Sequence, residues 1–125
     1  MDDRQKKLKD IEIENFIWII YIGIIFMSWY ANSVEKKFLL YNDEKSRREY
    51  QNMMILIFTI LFFVYLYFAK DSYDTMKELN EYDTEKKKIL VKASFIGSLL
   101  ILISGIIFLG IAITDDQIET EIAFN

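Results

Sequence analysis

Three apolar runs fill most of this chain, and charged spacers separate them. They cover residues 16–31, 53–69 and 93–113, which is 16, 17 and 21 residues, and none contains a charged side chain. A helix rises about 1.5 Å per residue and a hydrocarbon core is about 30 Å thick. The third run is long enough to span unaided. The first two span if each recruits a few flanking residues. The pattern predicts an all-α membrane protein with three transmembrane helices in an up-down-up bundle. The expected spans are roughly residues 14–33, 51–70 and 90–113 of a single membrane domain covering residues 1–125. Residues 114–125 form a short acidic tail.

Clustering carries this signal, because the averages are ordinary. The apolar fraction is 53% and the mean hydropathy only +0.14, since the spacers are heavily charged. A soluble three-helix bundle needs polar residues recurring every turn along each helix. Residues 53–69, MMILIFTILFFVYLYFA, offer one Thr and two Tyr and no polar stripe.

Absent residue types narrow the chemistry. The chain has no Cys, His or Pro. Disulfides, thiolate nucleophiles and the commonest general base and metal ligand are therefore excluded. No proline kinks a helix, so the broken-helix construction of many transporters has no support from proline. Ser, Asp, Glu, Lys and Tyr remain, but no cluster couples a nucleophile to a base at reachable spacing. The chain reads as no enzyme, with no catalytic residue, metal site or cofactor. Asp71, Asp74, Glu78, Glu81, Asp83 and Glu85 lack the loop spacing and central Gly of an EF-hand and read as solvated helix faces. Glu12 and Glu14 read as a solvated helix start. With no ionisable residue inside any run, proton or ion coupling is disfavoured. Mixed charge and an acidic balance of −4 argue against nucleic-acid binding.

Charge also sets an expected orientation. The N-terminus and second spacer share one side and carry ten basic residues, including Arg4, Lys6, Lys7, Lys9, Lys86, Lys87 and Lys88. The first spacer holds five: Lys36, Lys37, Lys45, Arg47 and Arg48. The tail holds none. The N-terminus is expected in the cytoplasm and the C-terminus outside. Lys45, Arg47 and Arg48, close to the second span, oppose that bias. Ala31-Asn32-Ser33 resembles a signal-peptidase site, but Trp29 and Tyr30 just before it are bulky, and an uncleaved first span is expected. The Ile- and Lys-rich composition points to an AT-rich bacterial genome, hence a bacterial plasma membrane.

Local signals place the turns. Val34, Phe38 and Tyr41 recur at helical spacing, so the first helix should run past the bilayer. Asn42-Asp43 is the best turn signal. The second helix opens either at a Ser46–Glu49 capping box or earlier, with Asn42 or Asp43 as cap. Residues 80–84 should turn, with Asp83 or Thr84 capping the third helix. Trp18, Trp29 and Tyr30 on the first span, and Tyr65 and Tyr67 on the second, read as interfacial anchors. Lys86, Lys87 and Lys88 read as orientation or headgroup contacts. The second span is bulky all round, with no face marked.

The third span carries the one pattern that suggests a task. Ser94, Gly97, Ser98, Ser104, Gly105 and Ala112 are small residues on one side of a helix, interleaved with Ile101 and Phe108. In lipid, small residues let helix backbones approach closely. They are expected to pack within the bundle, to meet another subunit or to line a pore. In the tail, Ile118, Ile122 and Phe124 alternate with acids, as a docking peptide or a helical extension lying on Lys45, Arg47 and Arg48. The functional expectation is a non-catalytic accessory, assembly or regulatory subunit, or an immunity-type binder, working through helix–helix contacts. Its expected partners are the bilayer and either further copies of itself or a larger membrane protein. The alternative is a small oligomeric channel. In size and span count the chain is similar to phage holins, but many of those end in a basic tail and this one ends acidic.

Overall fold

The computed structural model describes residues 3–118, and these form three long α-helices in chain order. They are α1 (Asp3–Tyr41), α2 (Glu44–Lys77) and α3 (Glu85–Thr114). At the standard rise their 39, 34 and 30 residues extend about 58, 51 and 45 Å, well beyond a hydrocarbon core of about 30 Å. All three are long and apolar enough to cross a membrane. Successive helices are antiparallel, and no strand occurs among the described residues.

Two tight connections set this arrangement. The α1 to α2 corner takes only two residues. Asn42 adopts φ 53°, a left-handed conformation that Asn tolerates better than most side chains, and its amide donates to Phe38 O at 2.7 Å. Asp43 then caps α2, accepting from the Lys45 amide at 3.2 Å and the Ser46 hydroxyl at 2.9 Å. Of the two expected starts, the earlier one holds. Between α2 and α3, Asp83 accepts from the Asn80 amide at 3.0 Å and Asn80 from the Tyr82 amide at 2.9 Å. Thr84 is the cap, its hydroxyl oxygen accepting from Lys87 N at 3.1 Å. Lys87 pairs with Asp83 and Lys88 with Glu85, the spacings that suit a helix start.

The helix α2 lies in the middle. It packs against α1 on one side and α3 on the other, while α1 and α3 make no close backbone approach among the described residues. Only 11% of the most apolar stretch of α1 and of α3 is buried, against 33% of that in α2. This explains why no single face of α2 stands out in the sequence. It has two neighbours, so the adjacent Ile57 and Phe58 are both fully buried. Met54, Leu61 and Ala69 extend this core along the helix.

The outer helices are one-sided, and each carries a stripe of covered positions spaced 3 and 4 apart. On α1 the stripe runs Asp10, Ile13, Ile17, Ile20, Ile24, Met27, Ala31, Val34 and Phe38, with Lys6, Tyr21, Ser28 and Glu35 also partly covered beside it. On α3 it runs Val91, Phe95, Ser98, Leu102, Gly105, Leu109 and Ala112, with Lys88, Gly97, Phe108 and Ile111 also partly covered. A 3.5-residue repeat is the signature of shallow, left-handed helix packing. On α3 the repeat alternates large with small, so Ser98, Gly105 and Ala112 fall seven apart and admit α2 closely. Phe58 meets Phe108 with ring centroids 5.7 Å apart, and Tyr73 meets Phe95 at the same distance.

The far side of each outer helix is greasy and uncovered. Trp18, Ile19, Ile25 and Phe26 on α1 are more than half exposed, as are Ile107 and Ile113 on α3. A water-soluble monomer rarely shows apolar surface on this scale.

The end of α3 is held by side chains of α2. Gln51 Nε2 donates to Ile113 O at 3.1 Å and to Ala112 O at 3.3 Å. The buried Arg47 guanidinium donates to Asp116 O and is paired with Glu44. Carbonyls that a helix C-terminus leaves unmatched thereby gain donors. The chain leaves the helix at Asp115 rather than extending it, and Ile118 turns back onto the core. Of the expected tail contacts, Arg47 reaches this segment. Glu119, Glu121, Ile122 and Phe124 lie outside the described residues.

Candidate functional site: a cleft between the outer helices

Because α1 and α3 flank α2 without meeting, a cleft opens between them. It sits toward the end that carries the N-terminus and has a volume of about 370 Å³. That is within the usual range for small-ligand pockets, about 300–1,000 Å³. Glu14 and Tyr21 line it from α1, seven residues apart and so on one side of that helix. Tyr65, Phe68, Asp71 and Ser72 form its floor on α2, and Ser94, Ser98 and Ile101 its other wall on α3. The hydroxyls of Ser72 and Ser98 lie 2.9 Å apart and tie the floor to that wall.

The mouth is acidic. Asp71 is partly buried, and its carboxyl is held above the usual aspartate range by burial first and by the Asp10 charge second. Glu14 and Asp74 push the same way, and Lys6 opposes them. Lys6 is itself bound to Glu78 at 2.7 Å, across the α1–α2 contact. Asp71 makes no ion pair among the described residues. Among the described residues no three carboxylates converge as metal ligands would. Carboxylates stand at the mouth, with two tyrosine rings and serine hydroxyls within.

A raised acid has a defined consequence for stability. Protonation of Asp71 is easier in the folded chain than in the unfolded one, whose value is near 3.8. Its ionised form therefore weakens the fold above the raised value, and that penalty disappears as pH falls through the window between the two. Asp71→Asn should melt at a higher temperature than the parent at pH 7. The difference should shrink toward zero at pH 4, which thermal unfolding in detergent at both pH values checks. Comparing the pair cancels the opposite trend from Asp43, Glu44 and Asp83, whose carboxyls are all held low by hydrogen-bond partners.

The small residues of α3 divide between two surroundings. Ser98, Gly105 and Ala112 face α2. A methyl group added at Gly105 would lie 2.9 Å from the Tyr65 ring, whereas at Gly97 it would meet nothing within 4 Å. Ser94 lines the cleft, and Gly97 and Ser104 follow Ile101 around the same side of the helix, clear of α2. The Tyr65 ring lies beneath Gly105 and against the cleft. Trp18 and Trp29 stand exposed, and Tyr67 is partly covered, with its ring beside that of Phe68. Tyr30 donates to Glu49 at 2.5 Å, joining α1 to α2. Lys87 and Lys88 are engaged by their own turn, and Lys86 is exposed.

Sequence reading placed Glu14 and Asp71 on solvated faces; Glu14 is exposed, Asp71 is partly covered, and the cleft that both line was not foreseen. The available signal was spacing: Asp71 lies three residues after Phe68 and seven after the buried Val64, within the packed stripe of α2. No protein family, curated protein or solved structure matches the chain in comparison.

Proposed function

We propose that the chain is an integral membrane protein without catalytic function, an accessory, assembly or regulatory subunit that receives a transmembrane helix of a larger partner between α1 and α3. An immunity-type binder is one form of this role. The observation that carries the reading is the open side of the bundle. The outer helices leave a cleft, and its α3 edge bears Ser94, Gly97 and Ser104, small residues that α2 does not use. Close approach over such residues drives helix association in lipid, where hydrophobicity gives no preference. The acidic mouth favours a partner helix with Lys or Arg at its cytoplasmic end. The charge bias puts the N-terminus in the cytoplasm, and the composition suggests a bacterial plasma membrane.

Photo-crosslinking in native membranes tests this. A photoreactive residue at Gly97 or Ile101 should yield one discrete protein adduct, and the same probe at Ile25, on exposed apolar surface of α1, should yield lipid adducts only. An adduct with a second copy of the chain would reassign the surface to a homo-oligomer. Lipid adducts alone at all three positions would overturn the reading.

A further inference from the structure

A second, shallow and open patch lies on α2 at its opposite end, near the α1–α2 corner. It is formed by Lys45, Arg48, Glu49, Asn52, Met53 and Leu56. The spacing of 3 and 4 puts all six on one stripe of the helix. The stripe changes character along its length. Lys45, Arg48 and Asn52 are polar donors above the second apolar run, while Met53 and Leu56 belong to the first turns of that run. This is the profile of a phospholipid seen end-on: a charged head, then a chain.

The charges here differ from their neighbours. Arg47, one residue away, is turned inward onto Glu44 and Asp116 O and serves the fold. Lys45 and Arg48 are exposed and make no side-chain ion pair among the described residues. The one acid of the patch, Glu49, is engaged by the Tyr30 hydroxyl. Both cations also feel nearby carboxylates, Lys45 that of Asp43 and Arg48 that of Glu44, but two exposed cations and an amide still face this patch. A guanidinium presents a planar fork that matches two phosphate oxygens, and an ammonium adds a point charge beside it. These residues also stand on the side that the positive-inside bias disfavours, so orientation does not account for them.

We infer that this patch binds one anionic phospholipid, its phosphate held by Arg48, Lys45 and Asn52 and its acyl chain lying along Met53 and Leu56. The site rests on the membrane reading and is independent of the partner cleft at the other end of the bundle.

Native mass spectrometry of the full-length protein, released from detergent with added lipid, tests it. The probes are dioleoyl phosphatidylglycerol, dioleoyl phosphatidylcholine and inorganic phosphate. The parent chain should retain one phosphatidylglycerol in preference to phosphatidylcholine. Replacing both Lys45 and Arg48 with Gln should weaken that retention about thirtyfold, from the loss of two headgroup charges. Replacing Lys7 and Lys9, exposed cations at the far end of the bundle, with Gln should leave it unchanged. Circular dichroism confirms that each variant keeps its helices. Equal retention of the two lipids, or equal losses from the two double variants, would overturn the site. Displacement of the lipid by millimolar inorganic phosphate would overturn the lipid assignment, since the chain contacts would then contribute nothing. If the apolar belt is nevertheless shielded from aqueous reagents, such a failure sinks the lipid site and leaves the membrane reading standing.

Discussion

Gly105→Ile should detach α3 from α2. The first carbon of any side chain at this position already lies 2.9 Å from Tyr65 Cδ2, inside the closest approach that real side chains make. The remaining three carbons must go into the same ring or push the helices apart. Overpacking a fitted core by a methylene or two costs about 1–3 kcal/mol, and this exceeds that insertion, so a loss of about 3 kcal/mol or more is expected. Thermal unfolding in mild detergent, followed by circular dichroism and protease resistance, should show a sharply lower midpoint. Gly97→Ile is the control. It is the same substitution two turns earlier, where nothing lies within 4 Å, and it should leave the midpoint unchanged. A Gly105→Ala variant should be milder, and adding Tyr65→Ala should recover much of its loss by vacating the contested space.

Phe58→Ala is expected to have the next largest effect. Phe58 is fully buried, belongs to the core that joins all three helices and meets Phe108 across the α2–α3 contact. In a soluble protein such a truncation costs about 3–5 kcal/mol, part of it transfer of the ring from water. Helices that separate within lipid never return the ring to water, so that part falls away. What remains is the void, at about 24 cal/mol per Å³, or about 2 kcal/mol for a void of about 100 Å³. Phe63→Ala, five residues on and largely exposed, removes the same atoms from lipid-facing surface and should change stability little. Denaturant titration in mixed micelles measures both. Comparable losses at the two positions would mean that Phe63 is buried in the folded protein.

The class of fold was legible because lipid imposes a simple rule. Every residue of a spanning segment must tolerate hydrocarbon, and a helix must satisfy its own backbone. Three uncharged runs therefore read as three helices, and the turn chemistry of Asn42-Asp43 and Thr84 gave the corners to within a residue or two. The arrangement of the helices was less legible for the same reason. Where lipid and protein are both apolar, hydropathy does not separate a buried Phe58 from an exposed Phe63. Only spacing does, and it shows on α1 and α3 as a stripe of covered positions 3 and 4 apart. On α2 two such stripes overlap and blur into a uniform surface. The small residues of α3 were visible as a group, but their division between the α2 contact and the open edge depends on helix rotation within a few tens of degrees. The cleft was the least legible. Glu14 and Asp71 are 57 positions apart on helices that meet only through the fold, and nothing local distinguishes them from the other acids of the spacers.

Everything proposed for this chain depends on hydrocarbon surrounding the uncovered faces of the three helices. The absence of cysteine makes single-cysteine labelling clean. Ile19, Phe63 and Ile103, one on each helix, are all exposed on the protein's own surface, as are Lys9, Lys36 and Glu81 in the charged segments. Each is replaced by Cys in turn, reconstituted in lipid vesicles and treated with a hydrophilic maleimide under conditions that admit the reagent to both faces. Lys9, Lys36 and Glu81 should label rapidly, and Ile19, Phe63 and Ile103 only after the bilayer is dissolved and the chain denatured. Labelling of those three apolar positions as fast as the charged ones, with the bilayer intact, would contradict the membrane assignment.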